Sequence, residues 1–222
     1  MAKSVWQKEF NELLPEISAS GRKPRLLLHA CCGPCSSSVL EMLVNFFDVT
    51  VLFYNPNIYP HAEYRRRLSE LKDFYMKFPA VTENSVAFME EECVPQEFYE
   101  ATGISAEPEL ADEPERGERC RRCYEFRLER TYSRAVSGKF DYFCTTLSVS
   151  PYKDADKINS AGKTIAARNP SGPKWLPSDF KKNNGFLRSL QLSAEYGLYR
   201  QDYCGCVFSM KNSASGTEES FH

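Results

Sequence analysis

Apolar positions along the chain follow two alternating periods. Over residues 1–20, Trp6, Phe10, Leu13, Leu14 and Ile17 recur at three- and four-residue spacing, the stripe of an amphipathic helix. Gly21 and Pro24 break it. Residues 25–30 (RLLLHA) are a short apolar run, the mark of a strand buried on both faces of a parallel sheet. A CCGPCSS loop follows, then SVLEMLVNFF, which predicts a helix, then a second apolar run at 48–54 (DVTVLFY). Strand, tight loop, helix, strand is a βαβ unit with a right-handed crossover.

Residues 55–60 (NPNIYP) read as a loop. The stretch 63–78 predicts a strong helix with Leu68, Leu71, Phe74, Tyr75 and Phe78 on one side, and 80–89 a third strand. A short helix at 96–101 and a loop at 103–119 come next. Residues 120–136 are helical in pattern, 140–147 (FDYFCTTL) a strand and 154–168 a helix. Residues 169–186, rich in Pro, Gly, Asn and Lys, suggest an exposed functional loop. A short helix at 189–196 leads into LYRQDYCGCVFS and a polar tail.

Strands alternating with helices predict an α/β fold, a three-layer α/β/α arrangement around a parallel sheet. We expect one domain over residues 1–222, with an N-terminal helical segment (1–24), an acidic helical and loop insertion (83–118) and a flexible tail (211–222). Ligands of such sheets bind beyond the carboxyl ends of the strands, and the CCGPCSS loop falls there.

Composition adds constraints. With 222 residues, 42% hydrophobic and 26% charged, the chain suits one globular domain and is too apolar for disorder throughout. No apolar run approaches the ~20 residues of a membrane-spanning helix. The opening MAKSVWQKEFNELL has neither an apolar core nor a small-residue cleavage site, so no secretory signal is expected, and the expected compartment is the reducing cytoplasm. Net charge is −2, but residues 83–118 hold twelve acidic side chains against the single basic Arg116, while 119–211 carry 17 Lys/Arg against 8 Asp/Glu. An acidic lobe beside a basic face fits an anionic partner docking on one side; it fits two solvated faces equally well.

Nine cysteines are the outlier. Seven fall into three short-spaced groups: Cys31, Cys32 and Cys35; Cys120 and Cys123; Cys204 and Cys206. Short spacing brings thiolates together easily. A tetrahedral zinc takes four ligands, as does an iron–sulfur cluster, so the surplus suggests a cluster plus a second metal or redox thiols. Cys93 and Cys144 stand alone, and Cys144, inside an apolar strand, reads as a small buried hydrophobe. Cys32-Gly-Pro-Cys35 resembles a thioredoxin-type redox pair, yet that reading leaves four paired cysteines without a task.

Other side chains carry two readings each. His29 is either a hydrogen-bonded structural residue or a ligand or acid; His61 has no evident partner. The amides of Asn55 and Asn57 could read a sugar or base, or form a turn. Arg119, Arg121 and Arg122 surround Cys120 and Cys123, where they could meet phosphates. Lys174, Lys181, Lys182 and Arg188, interleaved with Trp175, Phe180 and Phe186, suit a stacked nucleobase and its backbone, or a solvated surface loop.

The segments LLLHACCGPCSS, FYNPNIYP-HAEYRRR, RCRRCYEFRLERT, TTLSVSPYKDADKIN and PSDFKKNNGFLRSLQLSAEYGLYRQDYCGCVFS together resemble the QueH family of cobalamin-independent epoxyqueuosine reductases, from about Leu26 to Ser209. The resemblance implies a fold related to adenine-nucleotide-hydrolase-like domains and the last step of queuosine formation in tRNA: the epoxide of the modified base loses its oxygen and becomes an alkene. It implies a [4Fe–4S] cluster and an adjacent mononuclear iron. Carried over by position, Cys32, Cys120, Cys123 and one of Cys204 or Cys206 would hold the cluster, and Cys31, Cys35 and the other C-terminal cysteine the iron. Some relatives are expected to have aspartate where Cys35 stands. Candidates for protonating the departing oxygen are Asp179, Tyr152, His29 and Tyr203. Asn55 and Asn57 would hold the substrate, and Arg119, Arg122, Lys181, Lys182 and Arg188 the anticodon arm. The partners implied are tRNA carrying epoxyqueuosine and an electron donor such as a ferredoxin or flavodoxin, with no membrane involved.

Three competing readings remain at this level. A tRNA-thiolating or ATP-pyrophosphate-cleaving enzyme on a similar fold would need a Gly/Ser-rich phosphate loop such as SGGxDS, where this chain has CCGPCSS. A zinc-binding RNA adaptor would be colourless. A thiol–disulfide oxidoreductase would reduce generic disulfides without metal.

Overall fold

The apolar run at 25–30 becomes the middle strand of a five-stranded, all-parallel sheet in a computed structural model that describes residues 4–210. In chain order the elements are α1 (Val5–Ala19), β1 (Arg25–Ala30), α2 (Gly33–Leu43), β2 (Asp48–Phe53), α3 (His61–Tyr75), α4 (Pro79–Thr82), β3 (Ala87–Glu90), α5 (Pro95–Thr102), α6 (Glu118–Ser137), β4 (Tyr142–Thr145), α7 (Ala155–Ala167), β5 (Lys174–Trp175) and α8 (Gly185–Glu195). Single 3-10 turns form at Pro108–Ala111 and Thr146–Val149. The expected tail, 211–222, and the first three residues of the expected N-terminal helix lie outside the described residues.

The strand order is β3-β2-β1-β4-β5. Leu26 of β1 stands opposite Val49 on one side and Tyr142 on the other. Leu26, Leu27 and Leu28 are all withdrawn from solvent, which explains an unbroken apolar run: both faces of a central parallel strand are covered. Right-handed crossovers put α2 and α3 on one face as the chain winds from β1 to β3. The chain then reverses direction, and α6 and α7 pack together over the other face, while α8 joins α2. The three-layer α/β/α expectation therefore holds.

Two local expectations are corrected. The helix after β1 starts at Gly33 rather than beyond the CCGPCSS loop, because Pro34 at the first turn has a backbone angle suited to a helix start and no N–H to waste. Cys32 is thus the residue before the helix and Cys35 lies in its first turn. The second correction concerns 169–186, expected as an exposed loop. Lys174–Trp175 is an edge strand, and Trp175, Leu176, Ser178, Asp179 and Phe180 are buried. The indole of Trp175 donates to Asn159 Oδ1 at 3.0 Å, and the Phe180 ring meets Phe10 of α1 edge-on at 5.7 Å. Gly and Pro in the surrounding sequence mask three apolar side chains that close the core beneath α1 and α7. Trp175 packs so closely on α7 that a Cβ at Gly162 would lie 2.2 Å from its ring.

Segment 83–118 is tied to the domain by charge and by a small apolar cluster. Phe98 of α5 packs with Cys123, Cys206 and Phe208. Glu91, just past β3, pairs with Arg130 (2.6 Å) and Arg134 (2.7 Å) of α6. Burial alone would raise the Glu91 carboxyl, but Arg134 and Arg130 outweigh it and hold it below its ordinary value. On the other face, Arg67 of α3, buried and paired with Glu63 at 2.6 Å, donates to the carbonyls of Cys204 (3.1 Å) and Tyr203 (3.4 Å). One helix surface thereby fixes the turn that carries two cysteines.

Gly162→Ala should lose about 1–3 kcal/mol of stability in urea denaturation, the usual effect of overpacking a filled core; an unchanged midpoint would contradict the close packing of Trp175. Glu91→Gln should lose about 1–2 kcal/mol at pH 7, discounted for the half-exposed arginines. Because the folded carboxyl titrates low, its contribution is complete above the unfolded-state value near pH 4.3 and disappears as pH falls through the folded one. Unfolding curves of wild type and Glu91→Gln should therefore converge on acidification; a constant gap from pH 7 to pH 3 would show that the ion pairs are not its source.

Candidate functional site

Strand order reverses between β1 and β4, so the crossovers leaving these two strands part in opposite directions and leave a crevice at their carboxyl ends. Cys31, Pro34 and Cys35 follow β1, and Val149, Ser150, Tyr152 and Lys153 follow β4. Together with Phe186 and Ser189 of α8, Glu115 of the acidic segment, and Arg200, Gln201, Asp202, Tyr203, Cys204 and Ser209, they line a cavity of about 310 Å³.

Each cysteine group has a local reason for its placement. Cys32 adopts an extended backbone (φ −169°, ψ 164°) and its thiol caps nothing, so it is left for the site. The hydroxyls of Ser36 and Ser37 turn back to the Gly33 and Pro34 carbonyls at 3.0 Å, which keeps the first helical turn satisfied without the cysteines. The sulphurs of Cys31, Cys32 and Cys35 lie within 4.8 Å of one another. Cys120 and Cys123 are three apart on α6 and therefore share a face. Cys204 and Cys206 flank Gly205, whose φ of +127° is open to glycine and strained for other residues. The Gly205 carbonyl accepts from Tyr59 N at 2.8 Å.

The thiols respond to one another electrostatically. Cys31 is pulled well below its ordinary value, first by hydrogen bonds from Cys32 and Cys35. Cys32 is pushed up to about 12, first by the same bond to Cys31, and Cys35 is pushed well up by both neighbours. One thiolate served by two thiols is a donor set in which a cation could replace the shared protons. Cys120 rises to about 11 and Cys206 to about 12, each chiefly through burial, with Cys204 and Cys123 as the neighbouring thiols that add to it. The donor set is thus all sulphur, in two adjoining groups, and fits thiophilic metal. No disulfide links the nine cysteines.

The two groups meet the cavity differently. Cys31, Cys35 and Cys204 line it. Cys32 lies behind, accepting from Gln201 Nε2 at 3.3 Å, and Cys123 and Cys206 are buried in the small apolar cluster. Lys153 Nζ, buried, donates to Cys204 Sγ at 2.8 Å. Burial works against its charge, but Cys204 and Tyr124 outweigh this and raise the Lys153 ammonium well above its ordinary value.

The other sequence candidates are placed as follows. His29 is fully buried, with Nε2 on the Tyr54 carbonyl (3.0 Å) and Nδ1 on the Thr145 hydroxyl (2.8 Å); burial lowers it to about 4, so it ties β1 to β2 and β4 as a neutral ring. Asp179 is buried, pairs with Lys181 and does not line the cavity. Tyr152 does line it and is 69% exposed, while the Tyr203 hydroxyl is committed to the Tyr59 carbonyl at 2.6 Å. Asn55 donates to the Ala30 carbonyl at 2.9 Å, just before the cysteine loop, and Asn57 is buried near Gly205 with Oδ1 unpartnered. Arg119 is buried and grips the Leu110 and Ala111 carbonyls (2.5 and 2.9 Å). Arg122 pairs with Glu107 and Glu118. Arg188 pairs with Glu41 and, with Lys182, lines a separate cavity of about 230 Å³.

None of these seven substrate candidates lines the cysteine cavity. The cations that do are Lys153 and Arg200, which the charge pattern did not single out. A usable signal existed for Lys153: it lies just past the carboxyl end of the strand beside β1, where the reversal of strand order places a site. Arg200 gave none, since it follows a helix that contributes no strand.

Among the described residues no helix is long and apolar enough to cross a membrane. The family model described as epoxyqueuosine reductase QueH matches residues 26–212. The epoxyqueuosine reductase QueH of Streptococcus pyogenes serotype M1 is 44% identical over 211 residues, covering 95% of this chain and 75% of the relative. That of Staphylococcus epidermidis is 39% identical over 204 residues (92% and 84%), and that of Thermotoga maritima 35% over 185 residues (83% and 90%). With a family match over most of its length, and with the cysteine segments inside that match, the chain belongs to the QueH family of epoxyqueuosine reductases.

Proposed function

We propose that this chain removes the epoxide oxygen of epoxyqueuosine in tRNA, giving queuosine and water with the uptake of two electrons and two protons. The observation that carries this reading is the cluster of Cys31, Cys32 and Cys35 at the reversal of strand order, with Cys31, Cys35 and Cys204 on the wall of a cavity of about 310 Å³ that also presents aromatic and cationic side chains. That volume is at the small end of ligand sites and suits a single modified base turned out of its stack.

Cys32, Cys120, Cys123 and Cys206 would hold a [4Fe–4S] cluster, and Cys31, Cys35 and Cys204 an adjacent mononuclear iron. Supporting this division, the latter three line the cavity, whereas Cys123 and Cys206 are packed against Phe98 and Phe208. When bound, the cluster supplies electrons singly and the iron supplies Lewis acidity.

The chain's own residues do the rest. Tyr152 Oη gives a proton to the departing oxygen: of the candidate donors, Tyr152 and Tyr203 line the cavity, and the Tyr203 hydroxyl is already engaged. Phe186 and Arg200, whose guanidinium stands 5.7 Å from that ring, offer a surface on which the base stacks. Gln201 orients Cys32, and Lys153 orients Cys204. Asn55, Asn57, His29 and Arg119 position the cysteine-bearing segments from behind. Lys181, Lys182 and Arg188, with Arg122 on another surface, meet the tRNA backbone away from the modified base. A ferredoxin or flavodoxin in the cytoplasm serves as electron donor.

Cys120→Ala, purified without oxygen, should lose bound iron and sulfide together with turnover of epoxyqueuosine-containing tRNA; retention of both would sink the ligand assignment. Tyr152→Phe should keep its iron and its tRNA affinity while turnover falls by about 10²-fold or more, the scale of a lost general acid. Unchanged turnover would hand the proton to solvent or to another group.

A further inference from the structure

Among the described residues, the largest side chains fully withdrawn from solvent are three arginines: Arg67, Arg119 and Arg127. A buried guanidinium is costly unless an anion faces it, and it cannot escape by losing its proton. Arg67 has Glu63 at 2.6 Å. Arg127 has no carboxylate at ion-pair distance among the described residues. Its Nε donates to the Cys123 carbonyl at 3.3 Å, and its Nη2 is buried without a hydrogen-bond partner. It stands one turn beyond Cys123 on α6, and the acidic groups that face it are thiols of both cysteine groups, Cys123, Cys204 and Cys31, with Tyr124 beside them. The imidazole of His29, which also feels the Arg127 charge, is held neutral chiefly by burial. Lys153 is the second cation placed between the same two groups.

Resting on the reading that these cysteines hold a cluster, we propose that Arg127 is a positioning residue: a permanent buried counter-charge that stabilises the reduced, more anionic state of the thiolate-bound metal group. A fixed cation in a low-dielectric interior favours whichever redox state carries more negative charge, and so raises the reduction potential. Without the metal group fewer negative charges face it, so its presence favours the loaded fold over the metal-free one.

Wild type, Arg127→Met and Arg127→Lys should be loaded without oxygen, assayed for iron and sulfide, and titrated reductively while absorbance and electron paramagnetic resonance are followed. In Arg127→Met the reduction equilibrium should shift at least tenfold toward the oxidised state, about 59 mV for one electron. Arg127→Lys should stay near wild type. Thermal unfolding should show Arg127→Met at least as stable as wild type without metal and less stable with it. An unchanged midpoint in loaded Arg127→Met, or an equal stability loss in both forms, would overturn the proposal and leave Arg127 a packing residue. Should Arg127→Met fail to fold, Arg127→Lys decides: a near-wild-type midpoint supports a role of charge, and a tenfold shift overturns it. If wild type takes up no cluster even after reconstitution, the reductase reading falls as well; if wild type is loaded and active while Arg127→Met keeps its midpoint, this inference alone falls.

Discussion

The site depends on one topological constraint, the reversal of strand order beside β1. A parallel sheet must cover both faces with helices, and right-handed crossovers force the chain to change direction once to do so. Where it changes, no helix crosses the strand ends. β1 and β4 deliver their following segments into that gap, the first bringing three cysteines and the second Tyr152 and Lys153. The remaining four cysteines arrive from α6 and from the turn beyond α8, and each is held by something outside the gap: the face of a long helix, or Arg67 grasping backbone carbonyls. The crevice is general to such folds; here Cys31, Cys35 and Cys204 stand on its wall.

A sulphur-lined crevice poses an electrostatic problem that the surrounding cations answer. Thiolates crowded together repel, and burial adds to the penalty. Arg127 and Lys153 lie between the two cysteine groups, and Arg119 lies beside Cys120 and Cys206. The acidic excess of residues 83–118 is spent elsewhere, on arginines of α6 such as Arg122, Arg130 and Arg134. Charge that looks like a polarised surface in the sequence is in large part internal wiring. Only Glu115 of that segment reaches the cavity wall, where it accepts from Ser209.

How much of this was legible follows from the range of each interaction. Strands β1 and β2 could be read to within a residue because a doubly buried strand writes its environment into consecutive apolar positions. The cysteine groups could be read because short spacing implies proximity, and together with the other segments they pointed to the family. β5 could not be read: two residues long and set among Pro, Gly and Asn, it has no period to detect. The surroundings of Arg119 and Arg188 could not be read for a different reason. Local sequence shows a positive charge but not its partner, and the partners here, the Leu110 carbonyl and Glu41, come from another turn or another helix. Lys153 and Arg200 reach the cavity through tertiary placement alone.

The position of β1 in the sheet also bears on how the chain acquires its fold. Its neighbour β2 follows within some twenty residues, whereas β4 lies more than a hundred residues away. Closing the short loop is entropically easier than closing the long one. Until β4 docks, the strand that carries Cys31, Cys32 and Cys35 keeps one bare edge, and its thiols stand open to oxidant with α2 as their sole support. A Cys32–Cys35 disulfide made in that interval would withdraw two of the three clustered thiols before the cysteines of α6 and beyond α8 were in place. A reducing environment keeps all three thiols available while the chain assembles.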